Sequence, residues 1–327
     1  MLASLRQRWF LLSLIAVLIA CIAWPAALRP LANFISGDVI LAIVTFLMAL
    51  PLETGVLWRA VRKPGPAWLG SLLSSGLAPP LGWLASRMLP NELATGVILA
   101  ATVPSTLASA AVLTRRAGGN DAVAFLVTMI TNLACFLVIP SWLMLLTGVR
   151  TKIDFAGIVL KLLLLVVLPI VVAQILRQWP PIGGAATRRK YLLSNMAQVG
   201  VLLMVLVGAV ECGERLASLE SDSVVSAANI LQMIAAVVGV HLALVVAGFT
   251  LSRALSIGRE EAIAVAFAGG QKTLMVGVFL AMAVGPLAIL PMVAYHAAQL
   301  VIDTLVADWF RNRHEALAAA APSSDVA

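Results

Sequence analysis

The chain has 327 residues, of which 61% are hydrophobic and only 11% are charged, and its mean hydropathy is +1.02. Soluble globular chains carry about a quarter charged residues, so this composition excludes a soluble protein and predicts an all-α, polytopic membrane protein. The net charge of +7 indicates topogenic Lys and Arg in short cytoplasmic loops rather than a nucleic-acid surface. Cys21, Cys135 and Cys212 are too dispersed for a disulfide framework or a zinc site, so no metal site is expected.

Apolar stretches of about 20 residues predict ten transmembrane helices. They lie near Trp9–Leu28, Val39–Leu57, Ala67–Met88, Leu93–Leu113, Ala122–Leu146, Phe155–Leu176, Met196–Val210, Ala227–Leu251, Ala262–Val284 and Leu287–Phe310. The first stretch resembles a signal peptide as far as Cys21, but its hydrophobicity continues to Ala27, which favours a retained helix. The Ala-, Pro- and Ser-rich tail, residues 313–327, is predicted to be a disordered cytoplasmic tail.

The loop charges predict the orientation. One set of alternate loops carries 15 positive residues: Arg6, Arg8, Arg59, Arg62, Lys63, Arg115, Arg116, Arg177, Arg188, Arg189, Lys190, Arg253, Arg259, Arg311 and Arg313. The other set carries six: Arg29, Arg87, Arg150, Lys152, Lys161 and Arg215. Because cytoplasmic loops carry the excess of Lys and Arg, both termini are expected in the cytoplasm and the protein in the inner (plasma) membrane.

Ten spans divide into two fives, and a repeat with an odd number of spans must insert in opposite senses. A slide of roughly 167 residues places Thr106 on Thr273 and Asn132 on Gln299. We therefore predict inverted repeats at 1–147 (spans 1–5) and 148–312 (spans 6–10). The slide also aligns two interruptions, 103–106 in the fourth span and 270–273 in the ninth. Paired breaks in inverted halves indicate a binding site.

The break in the ninth span contains the strongest candidate residue. Lys272 follows two glycines and Gln271 and precedes Thr273, about ten residues from either end of its span and roughly 15 Å from the nearer surface. The alternative is a structural lysine whose amine extends to the membrane interface. In the fourth span, Pro104 removes a backbone donor, and the hydroxyls of Ser105 and Thr106 either cap the following half-helix or bind an anion there.

Two further helices carry polar faces, which serve either as contacts between helices or as ligands. The fifth span has Thr128, Thr131 and Asn132 at i, i+3 and i+4. The tenth has His296, Gln299 and Asp303 at i, i+3 and i+7, where Asp303 is either the counter-ion of Lys272 or a residue at the cytoplasmic end. The predicted substrate-binding set is Ser105, Thr106, Asn132, Gln271, Lys272, Thr273, His296 and Gln299. The predicted ion-coupling set is Thr128, Gln271, Lys272 and Asp303, and Gln198 and His241 are weaker candidates of the same kind.

Two motifs resemble the bile acid:sodium symporter superfamily, in particular its bacterial SBF-like branch. They run from Pro104-Ser105-Thr106-Leu107 through Arg115-Arg116-Ala117-Gly118-Gly119-Asn120, and from Gly270-Gln271-Lys272-Thr273-Leu274 to Ala298-Gln299-Leu300-Val301-Ile302-Asp303. The resemblance implies ten helices in two inverted repeats, a panel and a core domain, crossing broken fourth and ninth helices, and organic-anion substrates such as bile acids or smaller carboxylates.

The resemblance also implies a sodium pattern, which this chain meets only in part. Gln271 matches a glutamine that helps to ligate sodium in the family, and Thr128 matches a sodium-binding hydroxyl. Phe267 stands where an acidic residue is expected, and Lys272 stands where sodium symporters have asparagine. Sodium coupling is therefore doubtful, the lysine ammonium can occupy the place of the cation, and proton coupling is possible. No other cofactor is expected.

Three classes of function compete. The first is a secondary active transporter of a small organic anion, working by alternating access, as a monomer or homodimer in the lipid bilayer. The second is an enzyme, which is not expected because the sequence shows no nucleophile–base or metal-ligand constellation. The third is a sensor or regulator on a transporter-like scaffold, which resemblance of fold alone does not exclude.

Overall fold

A computed structural model describes residues 9–53, 64–107, 109–147, 154–218 and 226–320, with side chains to residue 313. Throughout these residues the regular structure is helical, so the all-α prediction is confirmed. The helices are α1 Trp9–Ala23, α2 Pro25–Asn33, α3 Gly37–Ala49, α4 Gly65–Leu72, α5 Ala78–Ala85, α6 Asn91–Thr102, α7 Ser109–Arg116, α8 Asp121–Thr147, α9 Phe155–Leu162, α10 Leu168–Arg177, α11 Pro180–Arg188, α12 Lys190–Ala217, α13 Ala227–Ala254, α14 Arg259–Gly270, α15 Leu274–Val284 and α16 Ile289–Ala320.

The lengths and apolar character of these helices confirm a multi-pass membrane protein. Among the described residues, six helices are long and apolar enough to cross a membrane, or seven if α1 and α2 count as one span. These two helices are bent by 111° at Pro25, so the predicted first span, Trp9–Leu28, is not one straight helix. Other predicted spans consist of shorter helices, such as α3 and the pair α6 and α7. The total of ten remains a prediction.

Two spans contain a π turn, and each has the same cause. Leu73–Leu77 joins α4 to α5, and Leu163–Val167 joins α9 to α10. In both, a proline stands two residues after the π turn, at Pro79 and Pro169. A proline inside a helix has no N–H and its ring clashes with the carbonyl four residues earlier, so the turn before it widens. Widening releases carbonyl groups from the helical ladder for other partners.

The helices pack in two sets. In the first, here the α12 set, α12 contacts α1, α2 and α3, and α10 contacts α3. In the second, here the α14 set, α14 contacts α4, α8 and α13, and α16 contacts α6 and α13. The two sets meet where α3 and α12 pack on α15, and where α8 packs on α9.

The helix pair α14 and α15 lies in the interior of its set. Its membrane-depth stretch is 100% buried, against 17% for the stretch spanning α9 and α10. Interrupted backbone is tolerated at membrane depth only inside protein or beside water, so this enclosure explains how the break at 271–273 is accommodated. The close packing depends on small residues, since a Cβ on Gly248 of α13 would lie 2.7 Å from Cα of Ala266.

The C-terminal boundary differs from the sequence prediction. Helix α16 continues to Ala320, so the predicted start of a disordered tail at 313 falls inside a helix. Residues 321–327 lie outside the described residues. The loop charges Arg6, Arg8, Arg59, Arg62, Lys63, Arg150 and Lys152, which entered the orientation count, also lie outside them.

Candidate functional site

The two helix breaks touch one another directly. Helix α6 ends at Thr102 and α7 begins at Ser109, while α14 ends at Gly270 and α15 begins at Leu274. The N–H of Thr273 donates to the carbonyl of Pro104 over 2.9 Å. Both breaks therefore lie where the sequence places them, and their backbones are joined inside the bundle.

Lys272 is buried, with 1% of its surface exposed. Its Nζ donates to the carbonyl of Ser74 at 2.5 Å, to Ser74 Oγ at 3.0 Å and to the carbonyl of Val103 at 3.1 Å. The Ser74 carbonyl is released by the π turn before Pro79, and the Val103 carbonyl lies at the C-terminal end of α6, where the helix dipole is negative. An ammonium has three hydrogens, and here each has an oxygen to accept it.

Gln299 holds the backbone of the same lysine. Its Oε1 accepts from the N–H of Lys272 at 2.8 Å, and its Nε2 donates to the Lys272 carbonyl at 2.9 Å. The Nε2 also lies 2.8 Å from Nδ1 of His296. One side-chain amide thus replaces both helical partners that Lys272 lacks at the break, which satisfies its buried backbone groups.

Side chains on the polar face of α8 bond the backbone of the first break. The N–H of Ser105 donates to Thr131 Oγ1 at 3.2 Å, and Asn132 Nδ2 donates to the Ser105 carbonyl at 2.8 Å. Thr128 Oγ1 lies 2.9 Å from the carbonyl of Ala124, its nearer acceptor, and 3.4 Å from the carbonyl of Thr106. The structure therefore uses these three side chains to fix backbone. Ser105 Oγ and Asn132 Oδ1 are buried without a hydrogen-bond partner among the described residues.

Asp303 does not pair with Lys272. Its Oδ1 lies 2.8 Å from His241 Nε2, and its Oδ2 accepts from Gln271 Nε2 at 2.7 Å. His241 and Asp303 are both fully buried, and the second alternative, a position at the cytoplasmic end, stays a prediction. The other amide atom of Gln271, Oε1, accepts from Ser109 Oγ at 2.8 Å, so both polar atoms of Gln271 are engaged within the protein.

A small cavity of about 70 Å³ lies beside the crossing, between the two helix sets. Its walls from the α14 set and the breaks are Thr106, Ser109, Thr273, Leu274, Met275, His296 and Leu300. Its walls from the α12 set are Phe10, Met48, Gln198 and Val201. A drug-sized ligand needs roughly 300 Å³ or more, so the cavity is closed to such a ligand in this conformation.

Three predicted substrate-binding residues line this cavity: Thr106, Thr273 and His296. The other five, Ser105, Asn132, Gln271, Lys272 and Gln299, lie behind it and hold the breaks together. Two contributors were missed by sequence reasoning, Ser109 in the cavity wall and Ser74 at the lysine. The sequence signal for Ser74 is the segment Ser74-Ser75-Gly76 ahead of Pro79-Pro80.

A larger cavity, of about 920 Å³, lies elsewhere and has a different character. Its lining includes Trp83, Arg87, Asn91, Glu92 and Thr95, together with Gly285 at the far end of α15. No predicted site residue is in its wall. Glu92 Oε1 accepts from Arg215 at 2.8 Å and Arg87 lies over the Trp83 ring, while Glu92 Oε2 is buried without a hydrogen-bond partner among the described residues. We therefore take the smaller cavity at the breaks as the candidate site.

A membrane-embedded helical bundle with two joined helix breaks beside a small cavity has the architecture of a membrane transport protein. Comparison of the sequence with known proteins identifies the family of transporters. The chain belongs to the SBF-like CPA transporter family, whose model matches residues 8–312, and thus to the bile acid:sodium symporter superfamily.

Individual relatives agree with this family. The chain is 30% identical over 267 residues to an uncharacterized protein of Pseudomonas aeruginosa, covering 76% of this chain and 74% of that protein. It is 27% identical to a probable chloroplastic sodium/metabolite cotransporter of Arabidopsis thaliana, where the match covers 82% of this chain but only 65% of the relative. It is 23% identical to sodium/bile acid cotransporter 7 of Danio rerio, over 97% and 98% of the two chains.

Proposed function

We propose that the protein is a secondary active transporter that carries a small organic anion by alternating access and does not require sodium. The observation that carries this proposal is the small cavity at the joined breaks, which has the α12 set on one side and the α14 set on the other. A substrate enclosed there is released to either face of the membrane when the two sets move relative to each other. The relatives' names, which refer to bile acid and metabolite, support an organic solute.

An anion is favoured by the end of α15 that faces the cavity. Thr273 is the residue before this helix, and it makes no side-chain cap bond, so the partial positive charge of the helix N-terminus is directed at the cavity. Thr273 adds a hydroxyl donor to the same wall. A carboxylate at this point gains charge-assisted hydrogen bonds, which are roughly twice as strong as neutral ones.

Sodium independence is supported by the contacts of Lys272. A monovalent cation at a helix break is held by oxygen atoms, and here two carbonyls and one hydroxyl are occupied by the lysine amine. The glutamine that the family uses for sodium has both amide atoms engaged by Ser109 and Asp303. We therefore assign Lys272 the place of the coupling cation, and Gln271 a role in joining the breaks.

The finer architecture follows from the same proposal. Ten spans form two inverted repeats, 1–147 and 148–312, and the α12 and α14 sets correspond to the panel and the core domain of the family. Both termini face the cytoplasm, and the protein resides in the inner membrane as a monomer or homodimer. The 15-to-6 excess of loop charge supports this orientation.

Exchange of labelled carboxylates across liposomes containing the purified protein tests the transport proposal. We expect uptake of at least one compound in a series from pyruvate to cholate, at equal initial rates in sodium and in choline buffer. Thr273→Val keeps the side-chain shape and removes one donor, so affinity should fall about tenfold, the value of one charge-assisted bond. Thr95→Val is the matched control, since Thr95 lines the larger cavity.

Two outcomes would contradict the proposal. If Thr95→Val weakens uptake and Thr273→Val does not, the substrate occupies the larger cavity. If initial rates rise steeply with sodium, Lys272 does not replace the cation.

A further inference from the structure

The hydrogen bonds around His241 and Asp303 need one more proton than a neutral imidazole and an ionised carboxylate hold together. His241 Nδ1 lies 3.2 Å from the carbonyl of Gly270, which can only accept. His241 Nε2 lies 2.8 Å from Asp303 Oδ1. Asp303 Oδ2 already accepts from Gln271 Nε2.

A neutral imidazole has a single N–H. If that hydrogen is on Nε2, the bare Nδ1 faces the Gly270 carbonyl, lone pair against lone pair. If it is on Nδ1, the bare Nε2 faces a carboxylate. Both contacts are satisfied only when an extra proton is present, either on the imidazole or on the carboxyl group of Asp303. In either arrangement the pair has no net charge, which favours it because an isolated buried charge is costly.

The neighbouring titratable groups do not supply this proton by another route. Tyr295 of α16 stands edge-on to the imidazole, with ring centres 5.7 Å apart, and its hydroxyl donates to the same Gly270 carbonyl. Lys272 on the break donates to Ser74 and Val103, and His296 of α16 lies beside Gln299 and the Lys272 carbonyl. Of the charged residues on other packed helices, Glu92 of α6 pairs with Arg215, and Glu260 and Glu261 lie in the first turn of α14.

We propose that the His241–Asp303 pair binds a proton and is the proton-coupling site of the transporter. This inference rests on the transport function proposed above and names its coupling ion. The proton is held at the helix break itself, because Gly270 is the last residue of α14 and its carbonyl accepts from His241. On loss of the proton, the remaining imidazole hydrogen must move to Nε2 to serve the carboxylate. The bond from Nδ1 to Gly270 is then lost.

The pair is linked to the substrate cavity by a chain of side-chain contacts. Gln271 donates to Asp303 and accepts from Ser109, whose hydroxyl lies 3.5 Å from that of Thr106. Ser109 and Thr106 both line the cavity. With Lys272 as an ammonium, the crossing carries one net positive charge when the pair is protonated and none when it is not. The protonated state therefore favours an organic anion, and release of the proton favours release of the anion.

Nitrogen NMR of the purified protein labelled on histidine tests proton binding without any substrate. The chain has three histidines, and the His241 signals are identified by their loss in His241→Gln, with His296→Gln as the second assignment variant. We expect Nδ1 of His241 to carry a hydrogen at acidic pH and to lose it as the pH rises. In Asp303→Asn, the amide donates to Nε2 and accepts from Gln271, so Nδ1 should keep its hydrogen at every pH.

The parent protein alone can overturn the inference, even if the variants fold poorly. An Nδ1 that carries no hydrogen at any pH, or one that never loses it, contradicts proton exchange at this pair. Titration of Nδ1 that is the same in Asp303→Asn would assign it to another group.

Transport measurements then test coupling, with the carboxylate that shows exchange in liposomes. A gradient of one pH unit should drive about tenfold accumulation by the parent, the ratio that one proton per anion allows. Asp303→Asn should not accumulate the carboxylate under the pH gradient, even after its accumulation is normalised to the exchange rate of the same variant. Accumulation by Asp303→Asn under the gradient would overturn the coupling role. A parent that exchanges no carboxylate contradicts the transport proposal instead, and proton binding is still decided by the NMR titration.

Discussion

The relative stability of Lys272→Met and Lys272→Ala distinguishes an ordinary buried side chain from a hydrogen-bonded cation, because the two cases predict opposite orders of stability. In an apolar core, truncation of a methionine to alanine costs about 2–5 kcal/mol, so Lys272→Met should be the more stable variant. The contacts of Lys272 predict the reverse order. Methionine fills the space but leaves the carbonyls of Ser74 and Val103 unpaired, at about 1–3 kcal/mol each, or roughly 2–6 kcal/mol together.

Alanine leaves those oxygens accessible. It removes four heavy atoms, which gives room for about three waters at the ~30 Å³ that a water occupies in the liquid. Both variants remove the desolvation cost of a buried ammonium, several kcal/mol, so that contribution cancels in the comparison. We therefore expect Lys272→Ala to unfold at a higher temperature than Lys272→Met.

Sodium sharpens the test. Two carbonyls, one hydroxyl and a vacated volume form a cation site in Lys272→Ala. Sodium at 100 times its dissociation constant should then stabilise this variant by about 2.7 kcal/mol. Thermal unfolding in detergent, in sodium chloride against choline chloride at equal ionic strength, measures the effect. The parent, Lys272→Met and Lys161→Ala, an exposed lysine in a membrane helix, should show none. A more stable Lys272→Met, together with no sodium effect on Lys272→Ala, would refute the assignment of Lys272 as a substitute cation.

Two other predictions concern the π turn and the orientation. Pro79→Ala supplies the missing N–H and should return the Ser74 carbonyl to the helix, which lowers transport. Pro169→Ala, beside the π turn that holds no lysine, should leave transport at the parental rate. Equal losses of transport in both variants would disprove the role of the π turn at Ser74. The native cysteines Cys21, Cys135 and Cys212 are all buried, so a cysteine introduced at the surface should dominate labelling. Asp154→Cys should react with an impermeant thiol reagent in intact cells, and Arg189→Cys only after permeabilisation. The reverse pattern would show that the topology is inverted.

Much of this site could be predicted from local sequence. Pro104 in its apolar span, and the paired glycines beside Lys272, predicted interrupted helices, because each acts on the backbone of its own turn. Proline alone is not sufficient for this prediction, since Pro140 lies inside the continuous helix α8. The same reasoning found the polar faces of α8 and α16, since spacing at i, i+3 and i+4 places side chains on one face. It left open whether these faces bind ligands or other helices, and the structure shows that α8 binds the backbone of the first break.

The contacts of each buried charge could not be predicted. Lys272 bonds Ser74, 198 positions away, and Asp303 bonds His241, 62 positions away. Asp303 was a reasonable counter-ion for the lysine from sequence, because opposite charges inside a membrane usually pair. The released carbonyl of a π turn made another solution available, and a local deviation of this kind is recognised only once the partner helix is in place.

The distribution of polar contacts indicates which surface moves during transport. The breaks are held from every side: Thr273 bonds Pro104, Gln299 bonds both backbone groups of Lys272, and the lysine amine bonds Val103. Separating these groups would leave several buried polar atoms unpaired at about 1–3 kcal/mol each. On the opposite side of the cavity, Phe10, Met48 and Val201 present apolar surfaces beside the single polar side chain Gln198. The side-chain bond from Thr45 Oγ1 to Met275 Sδ, at 3.9 Å, is weak, so sliding of this surface costs less than separating the breaks. We infer that the crossing moves as one rigid unit with the α14 set, and that access alternates by displacement of this set along the α12 set.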